Sequence, residues 1–377
     1  MSSVLVAPPQ LRSARAPEYT SPRGRLRVGL ASRVYLPAFC IPALAAALVG
    51  IGWSTGWSGS GFAGSLTSLR VVVIGPLSLV IIGIILVVER IWPAQQRSLF
   101  ARGYRHDLLI TGVYATLVLP LVAALTLSFV AVLRRLLPWI VLPKMDTLPR
   151  WIVLGAIIVA MDGCNWAVHL ANHRVRMLWR FHELHHSQED MNVLTVFRTH
   201  PLIHVSYLLA LIPGVLLLAN GSLSLTVLAL YGGIVAFAHS NTRLGFGPLG
   251  RIVVSPNFHR IHHKLDGPQD VNLGFALTIW DQMFHTAAFP TKETVRMDTG
   301  LRGRPLLVEQ ATPRPRHLAV YAAQLVAPFR PLHDPQSPSF PSVAAHGSSP
   351  ALNLSSAVVC DDEPLGAQDT LEHCEVM

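Results

Sequence analysis

Charged side chains are scarce in this sequence. Asp, Glu, Lys and Arg make up 14% of the 377 residues, while 51% are hydrophobic. Soluble domains carry about a quarter of charged residues, so this composition excludes a disordered chain and an ordinary cytosolic enzyme. The formal net charge of +9 is spread too thinly for a nucleic-acid binder that relies on charge. The composition therefore indicates a membrane protein.

Cysteine is also scarce and unpatterned. The four cysteines, at 40, 164, 360 and 374, include no CxxC pair and no closely spaced framework. This arrangement excludes a disulfide scaffold and a thiolate metal site.

Long apolar runs supply the fold prediction. Four of them, at about 34–53, 71–88, 108–133 and 151–171, are long enough to cross a bilayer as helices. Two shorter runs, 202–219 and 223–239, are joined by Asn220-Gly221-Ser222, and Pro213-Gly214 should kink the first of them. We predict an all-α integral membrane protein with about four transmembrane helices plus a helical hairpin.

Arginine placement predicts the orientation of this multi-pass chain. Six arginines in residues 1–33 place the N-terminus in the cytoplasm. Four crossings then bring residue 172 and the residues that follow it to the cytoplasmic face. The connection before the fourth run is basic as well, although this topology puts it outside.

Histidines cluster in the second half of the chain. Twelve of the 17 lie between His169 and His285. His169 and His173 form an HxxxH pair, and two HxxHH groups follow, formed by His182, His185, His186 and by His259, His262, His263. Side chains at i, i+3 and i+4 lie on one face of a helix. Neutral imidazoles in that arrangement suit iron, zinc or copper.

The number of histidines predicts two metals. Eight ligands exceed what one ion coordinates, so two ions with about four ligands each is the simplest account, and His239 is a candidate ninth ligand. An even number of crossings separates the two HxxHH groups, so both reach the same membrane face. The sequence thus predicts a histidine-rich dimetal helical cap at the cytoplasmic face.

The motifs around these histidines resemble those of the fatty acid hydroxylase/sterol desaturase superfamily, which are membrane di-iron oxygenases. The resemblance covers roughly 89–290. It is carried by the HxxxH pair and both HxxHH groups, and by Leu178-Trp179-Arg180-Phe181, Arg198-Thr199-His200-Pro201, His239-Ser240-Asn241, Asn272-Leu273-Gly274 and Trp280-Asp281-Gln282-Met283-Phe284. Three positions depart from the family pattern: Leu273 replaces an aromatic residue, His285 stands where many members have Gly, and Arg243 replaces a histidine.

The resemblance implies a site and an activity. It assigns catalytic and metal-ligand roles to His169, His173, His182, His185, His186, His259, His262 and His263, with His239 as a further ligand. The cofactors are two iron ions, which zinc can replace in a purified sample, and O2 is the co-substrate. The implied reaction is hydroxylation or desaturation of a membrane lipid such as a sterol or a fatty acyl chain.

Other residues and partners follow from the same interpretation. His200, Asn272 and Asp281 are expected to support the ligating imidazoles or to line the pocket. The sequence has no fused cytochrome b5, dinucleotide or ferredoxin signature. We therefore expect an external electron donor, either a ferredoxin or a cytochrome b5-type protein with its reductase. We expect no nucleic-acid partner.

Composition divides the chain into four parts. Residues 1–33 are predicted to be a disordered basic arm, 34–290 the membrane and catalytic domain with the histidine motifs at 169–263, 291–330 a C-terminal extension, and 331–377 a disordered tail.

Two other classes of function stay open. His182, Glu183 and His186 also match the HExxH pattern, in which two histidines bind zinc and the glutamate is the general base of a membrane metallopeptidase. The other alternative is a non-enzymatic metal-binding membrane protein, such as a metal transporter or a haem protein.

Overall fold

Helices make up nearly all of the regular structure. The computed structural model describes residues 64, 75–98, 101–140, 142, 147–217, 225–265, 270–301, 304, 307–309 and 316–330. Within these ranges there is no β-strand, and β-type pairing is confined to three isolated bridges. The prediction of a helical protein is confirmed for this part of the chain.

The helices are short except near the middle of the chain. They are α1 Pro76–Ile91, α2 Arg102–Val113, α3 Leu119–Leu136, α4 Arg150–Arg174, α5 Arg176–His186, α6 His204–Tyr207, α7 Ile212–Leu217, α8 Leu225–Ala238, α9 Pro256–His262, α10 Ile279–Met283 and α11 His317–Val326. A π-helical turn, Tyr114–Val118, joins α2 to α3 without a break. Tight 3-10 turns fill several connections, among them Val193–Phe197, Pro201–Ile203, Leu208–Leu211, Gly247–Arg251 and Ala327–Phe329.

Two helical stretches are long and apolar enough to cross a membrane. They are Arg102–Leu136 and Arg150–Arg174, and they contain the predicted runs 108–133 and 151–171. Large apolar side chains point outward from this region, including Leu117, which is 69% exposed, and Trp151, which is 75% exposed. Contact with lipid accounts for such exposure, since water does not favour it. Both features fit a membrane protein.

The other two predicted spans are not established. The run 71–88 corresponds to α1, whose 16 residues are fewer than the roughly 20 that usually cross a bilayer. The run 34–53 lies outside the described residues. The count of four spans and the orientation of the chain therefore stay predictions.

The predicted hairpin has an irregular first arm. Its residues form a 3-10 turn, then α6, a second 3-10 turn at Leu208–Leu211, and α7. Pro213 lies in the first turn of α7, where its missing N–H costs no helical hydrogen bond. The predicted break in this arm is present as the separate 3-10 turn and short helix that precede α7. The second arm forms α8, and Asn220-Gly221-Ser222 lies outside the described residues.

A bend of the chain at Val175 brings the first two histidine motifs together. Val175 is extended, with φ −92° and ψ 111°, and it ends α4 and starts α5. The chain bends there, so α5 packs back against the end of α4. The HxxxH pair in the last turns of α4 is thereby brought beside the HxxHH group at the end of α5.

A buried glutamate joins α1 to the segments next to the histidines. Glu89 accepts hydrogen bonds from the Tyr104 hydroxyl at 2.7 Å, from the Val193 N–H at 2.8 Å and from the Asn241 N–H at 2.7 Å. Because it takes three donors from three parts of the chain, Glu89 fixes the position of Asn241 two residues beyond His239.

A fully buried arginine, Arg198, joins three further segments of the chain. Arg198 forms ion pairs with Asp107 at 3.0 Å and with Glu309 at 2.7 Å. Its guanidinium also donates to the Ser187 hydroxyl at 2.9 Å and to the Leu307 carbonyl at 2.9 Å. Arg198 therefore connects α2, the residue that follows α5 and the C-terminal segment.

The C-terminal segment covers the outer side of α5. Arg180 donates to the carbonyls of Pro328 and Arg330, both at 2.6 Å, and Arg304 pairs with Glu183 at 2.8 Å. These contacts are buried and come from residues beyond 290. The described part of 291–330 is thus packed against the helix that carries the first HxxHH group.

Replacement of Arg198 tests this connection. Arg198→Met leaves Asp107 and Glu309 buried without their cation, so the free energy of unfolding should fall by about 3–5 kcal/mol. Thermal unfolding of the detergent-purified protein measures the effect. Arg105→Met, at an exposed position of the same helix as Asp107, is the control and should change little. An unchanged unfolding temperature for Arg198→Met would show that the network does not stabilise the fold.

Candidate metal centre

All nine predicted metal ligands lie together in two buried groups. The first, called here the five-histidine set, consists of His169, His173, His182, His186 and His262. The second, the four-histidine set, consists of His185, His239, His259 and His263. Within each set the potential ligand atoms lie within 4.8 Å of one another.

Both HxxHH groups divide between the two sets. On α5, His182 and His186 face the five-histidine set, whereas His185 faces the other. The residues at the end of α9 divide the opposite way, since His262 joins the first set and His259 and His263 join the second. The sets are neighbours, with the rings of His186 and His263 stacked at 4.5 Å between centroids.

The imidazole nitrogens point at one another. Nε2 of His182 lies 3.0 Å from Nε2 of His169 and 3.2 Å from Nε2 of His186. In the four-histidine set, Nε2 of His239 lies 3.1 Å from that of His185 and 3.0 Å from that of His259. Ligand nitrogens at about 2.1 Å from one ion and at right angles to each other are about 3.0 Å apart, so these separations fit a shared ion.

Backbone carbonyls determine which nitrogen faces inward. Nδ1–H of His169 donates to the Leu273 carbonyl at 2.8 Å, and Nδ1–H of His262 donates to the Val271 carbonyl at 2.9 Å. His239 does the same with the Val235 carbonyl at 2.8 Å. Because a carbonyl only accepts, the proton must be on Nδ1, which leaves the Nε2 lone pair free to bind a metal.

Several ring nitrogens of the two sets have no hydrogen-bond partner within the described ranges. Both ring nitrogens of His173 and Nε2 of His262 are buried with no hydrogen-bond partner among the described residues. Burial, together with the neighbouring imidazoles, lowers the pKa of His182 and of His186 well below the usual value. Neutral imidazoles whose nitrogens converge are the donor set of a borderline metal such as iron or zinc. The residues present therefore fit a metal in each set.

Asp281 supports the site through the backbone. Its carboxylate accepts from the N–H groups of Leu273 at 2.9 Å and Gly274 at 2.8 Å, and from the Trp166 indole at 3.0 Å. It thereby holds the Leu273 carbonyl against His169. A Cβ on Gly274 would lie 2.5 Å from the Leu277 carbonyl oxygen, so this turn requires glycine.

Asn272 also supports the site through backbone contacts. Its amide donates to the carbonyls of Phe258 at 2.8 Å and Ala288 at 2.7 Å, and its φ of 55° is one that asparagine tolerates. Neither Asn272 nor Asp281 has a hydrogen bond to a ligating imidazole in the described part of the chain. Both act by fixing the loop that contacts His169.

His200 lies outside the cavity described below. Its Nδ1 accepts from the Leu202 N–H at 3.1 Å, which caps the 3-10 turn, and its Nε2 contacts the Leu325 carbonyl at 3.1 Å. His204, four residues later, does line that cavity. The sequence analysis expected a supporting role for His200, and spacing alone does not show which of the two histidines caps the turn.

Glu183 is turned away from both sets. Its Oε1 pairs with Arg304 at 2.8 Å, although His182 and His186 lie together as HExxH requires. The glutamate of a metallopeptidase must reach the water beside its zinc, and an ion pair on the outer side of α5 does not allow that. The arrangement disfavours the peptidase alternative.

A largely apolar cavity of about 390 Å³ opens beside the histidines. Five ligand candidates reach its wall, from both sets: His169, His182, His185, His239 and His259. The rest of the wall comes mainly from α1, from α8 and from the segment 196–207. A cavity of this size and character suits an apolar ligand, placed so that part of it touches the histidines.

One supporting residue was missed at the sequence level. Asp162 is fully buried and accepts from the Tyr231 hydroxyl at 2.8 Å and from the N–H groups of Ala276 at 2.9 Å and Leu277 at 3.1 Å. It thereby fixes the loop on which Leu273 lies. Its signal was present, since an acidic residue inside the apolar run 151–171 is expected to have a specific role.

Comparison with known proteins supports the family expected from the motifs. Residues 154–286 match the fatty acid hydroxylase family model, and the matched segment contains all nine clustered histidines. Over this segment the chain is similar to the fatty acid hydroxylase superfamily. No solved structure matches significantly.

Two kinds of relative are lipid-modifying enzymes by name. The ornithine lipid hydroxylase OlsE of Rhizobium tropici is 36% identical over 156 residues, which are 41% of this chain and 46% of the relative. Human alkylglycerol monooxygenase is 31% identical over 143 residues, 36% of this chain and 30% of the relative. The matches thus span less than half the length of these relatives.

The backbone conformation of His285, in the loop after Asp281, leads to a prediction about stability. His285 is exposed and has φ 56°, a left-handed conformation that costs a non-glycine residue about 1 kcal/mol. His285→Gly should therefore raise the free energy of unfolding by about that amount.

Asn272→Gly is the matched comparison. It relieves a similar φ but removes three hydrogen bonds, so it should lower the unfolding temperature where His285→Gly raises it. Thermal unfolding in detergent measures both. A loss of stability in His285→Gly would contradict the strain argument.

Proposed function

We propose that this protein hydroxylates, or alternatively desaturates, a membrane lipid in an oxygen-dependent reaction at a pair of histidine-bound irons. The observation that carries the proposal is the position of two adjacent sets of buried imidazoles on the wall of one apolar cavity. Lipid hydroxylase and monooxygenase relatives, and a family of oxygenases, support the same class of reaction.

Each histidine set would hold one iron. The five-histidine set would bind the first and the four-histidine set the second, with Nε2 as the donor atom wherever Nδ1 is hydrogen-bonded to a carbonyl. When bound, the irons supply the activation of O2 and the attack on an unreactive C–H bond. Zinc is an expected substitute in a purified sample, because the donor set also suits it.

The protein's own contribution is to place a lipid chain and exclude water. Ile81 and Ile82 of α1, with Val235 and Ala236 of α8, form an apolar wall of the cavity. The other face of α1 exposes large apolar side chains such as Val80 and Ile84. A chain could therefore pass from the bilayer to the histidines past α1 without crossing water.

The substrate class comes from the cavity and the relatives together. Ornithine lipid and alkylglycerol, which the relatives are named for, are both lipids, and an apolar cavity can accept a lipid chain. We infer a membrane lipid with a long apolar chain, of which a sterol and a fatty acyl lipid are two candidates. Electrons would come from a separate ferredoxin or a cytochrome b5-type protein with its reductase, at the cytoplasmic face.

Metal content tests the site directly. Protein purified in detergent from iron-replete cells should contain about two metal ions per chain, iron with or without zinc. His173→Ala and His259→Ala each remove a donor from a different set, so each should lose about one ion. His285→Asn, which changes a histidine outside both sets, should keep both. A folded and active protein with a single ion would contradict the two-metal site.

Activity tests the reaction. Cells that express the protein should accumulate an oxygenated or desaturated lipid that is absent from cells without it, as measured by lipid mass spectrometry. His185→Ala and His262→Ala should each abolish that product while the protein still accumulates. Normal product from well-expressed His262→Ala would overturn the proposal.

Glu183→Gln separates oxygenase from peptidase. Glu183 is no ligand in either set, so the variant should retain lipid oxidation. It should unfold at a lower temperature, because Arg304 loses its buried partner. If the parent protein is instead proteolytic, the same change should abolish that activity, because Glu183 would then be the general base.

A further inference from the structure

Outside the two histidine sets, two buried polar atoms of cavity-lining residues lack partners. Oγ1 of Thr199 and Nε2 of His204 have no hydrogen-bond partner among the described residues, and both residues line the cavity. By contrast, the Tyr231 hydroxyl, which belongs to another lining residue, donates to Asp162 at 2.8 Å. A buried polar atom without a partner costs about 1–3 kcal/mol, a cost that a suitable ligand atom would remove.

The backbone around Thr199 is firmly held. The residue before it is Arg198, fixed by ion pairs with Asp107 and Glu309. The residue after it is His200, whose ring contacts the Leu202 N–H and the Leu325 carbonyl. Since both neighbours are pinned by buried contacts, the Thr199 hydroxyl is presented to the cavity from a rigid support.

His204 is held by an irregular turn in the long helix. Tyr114 begins the π-helical turn between α2 and α3, and its ring lies 5.7 Å from the ring of His204 and 5.4 Å from that of Phe197. Turns of this kind inside α-helices often occur at functional sites. Here the turn supports the same wall segment, 197–204, that carries both unpartnered atoms.

We infer that Thr199 and His204 form a polar subsite that hydrogen-bonds a carbonyl oxygen of the lipid, as in an ester or an amide. A hydroxyl and an imidazole N–H can both donate, and a carbonyl oxygen accepts two such bonds. The inference rests on the proposed function, since it assigns the cavity to a lipid. Such a subsite would fix the chain lengthwise and so decide which carbon lies beside the histidines.

A binding comparison tests the subsite without catalysis. Radiolabelled methyl palmitate and octadecane have similar length, but only the ester carries a carbonyl. Retention of each probe by the immobilised, detergent-purified full chain gives a ratio of ester to alkane binding. Because both probes partition into the same micelles in every sample, the comparison between variants cancels that effect.

The parent should prefer the ester, and the variants should lose that preference. Thr199→Val replaces the hydroxyl by a methyl group, and His204→Phe keeps a ring against Tyr114. Each should lower the ester-to-alkane ratio about fivefold, the effect of one hydrogen bond. Thr199→Ser, which restores a hydroxyl, should keep the parent ratio. Ile82→Val changes an apolar residue of the cavity wall without changing the polarity of the wall, and it should also keep the parent ratio.

The outcomes distinguish this inference from the proposed function. Equal binding of ester and alkane by the parent, or an unchanged ratio in Thr199→Val, would overturn the subsite, even if the protein binds two irons and oxidises lipid. A clear ester preference that disappears in both variants supports the subsite, even if the metal content contradicts the di-iron proposal. Thermal unfolding confirms that each variant is folded.

Discussion

Nine neutral imidazoles turned toward one another are the constraint on which the rest of the structure depends. Nε2 atoms of neighbouring imidazoles lie about 3.0 Å apart, and neither set includes a carboxylate in the described part of the chain. Burial of so many imidazoles together costs the solvation of their ring nitrogens. The surrounding fold has to hold these side chains in place despite that cost, and a bound metal would offset it.

The residues that hold the imidazoles in place lie just outside the histidines. Backbone carbonyls at Val235, Val271 and Leu273 select the tautomer of three ligands, and Asp281 holds the loop that supplies one of those carbonyls. Arg198 fixes the turn after α5 by buried ion pairs. Short helices and tight turns suit this task, because each presents one or two side chains from a fixed point.

The sequence alone was sufficient to predict that these histidines lie together. Their i, i+3 and i+4 spacing constrains where the rings can point, and all nine candidates lie together in the structure. It could not show how each HxxHH group divides between two sets, which depends on the packing of α5 against α9. Nor could it show that Arg198 pairs with Glu309, 111 residues away, or that His200 caps a turn while His204 faces the cavity. Such contacts follow from tertiary packing and have no local signature.

X-ray absorption at the iron edge of the iron-loaded protein tests the central claim most directly. If each iron is bound by one set of imidazoles, its first coordination shell should be dominated by nitrogen. The spectrum should also show strong scattering from about four to five imidazole rings per iron. His173→Ala and His259→Ala should each reduce the iron content and leave one type of site. A shell dominated by carboxylate or sulfur, or a spectrum with only one or two imidazoles per iron, would contradict the account.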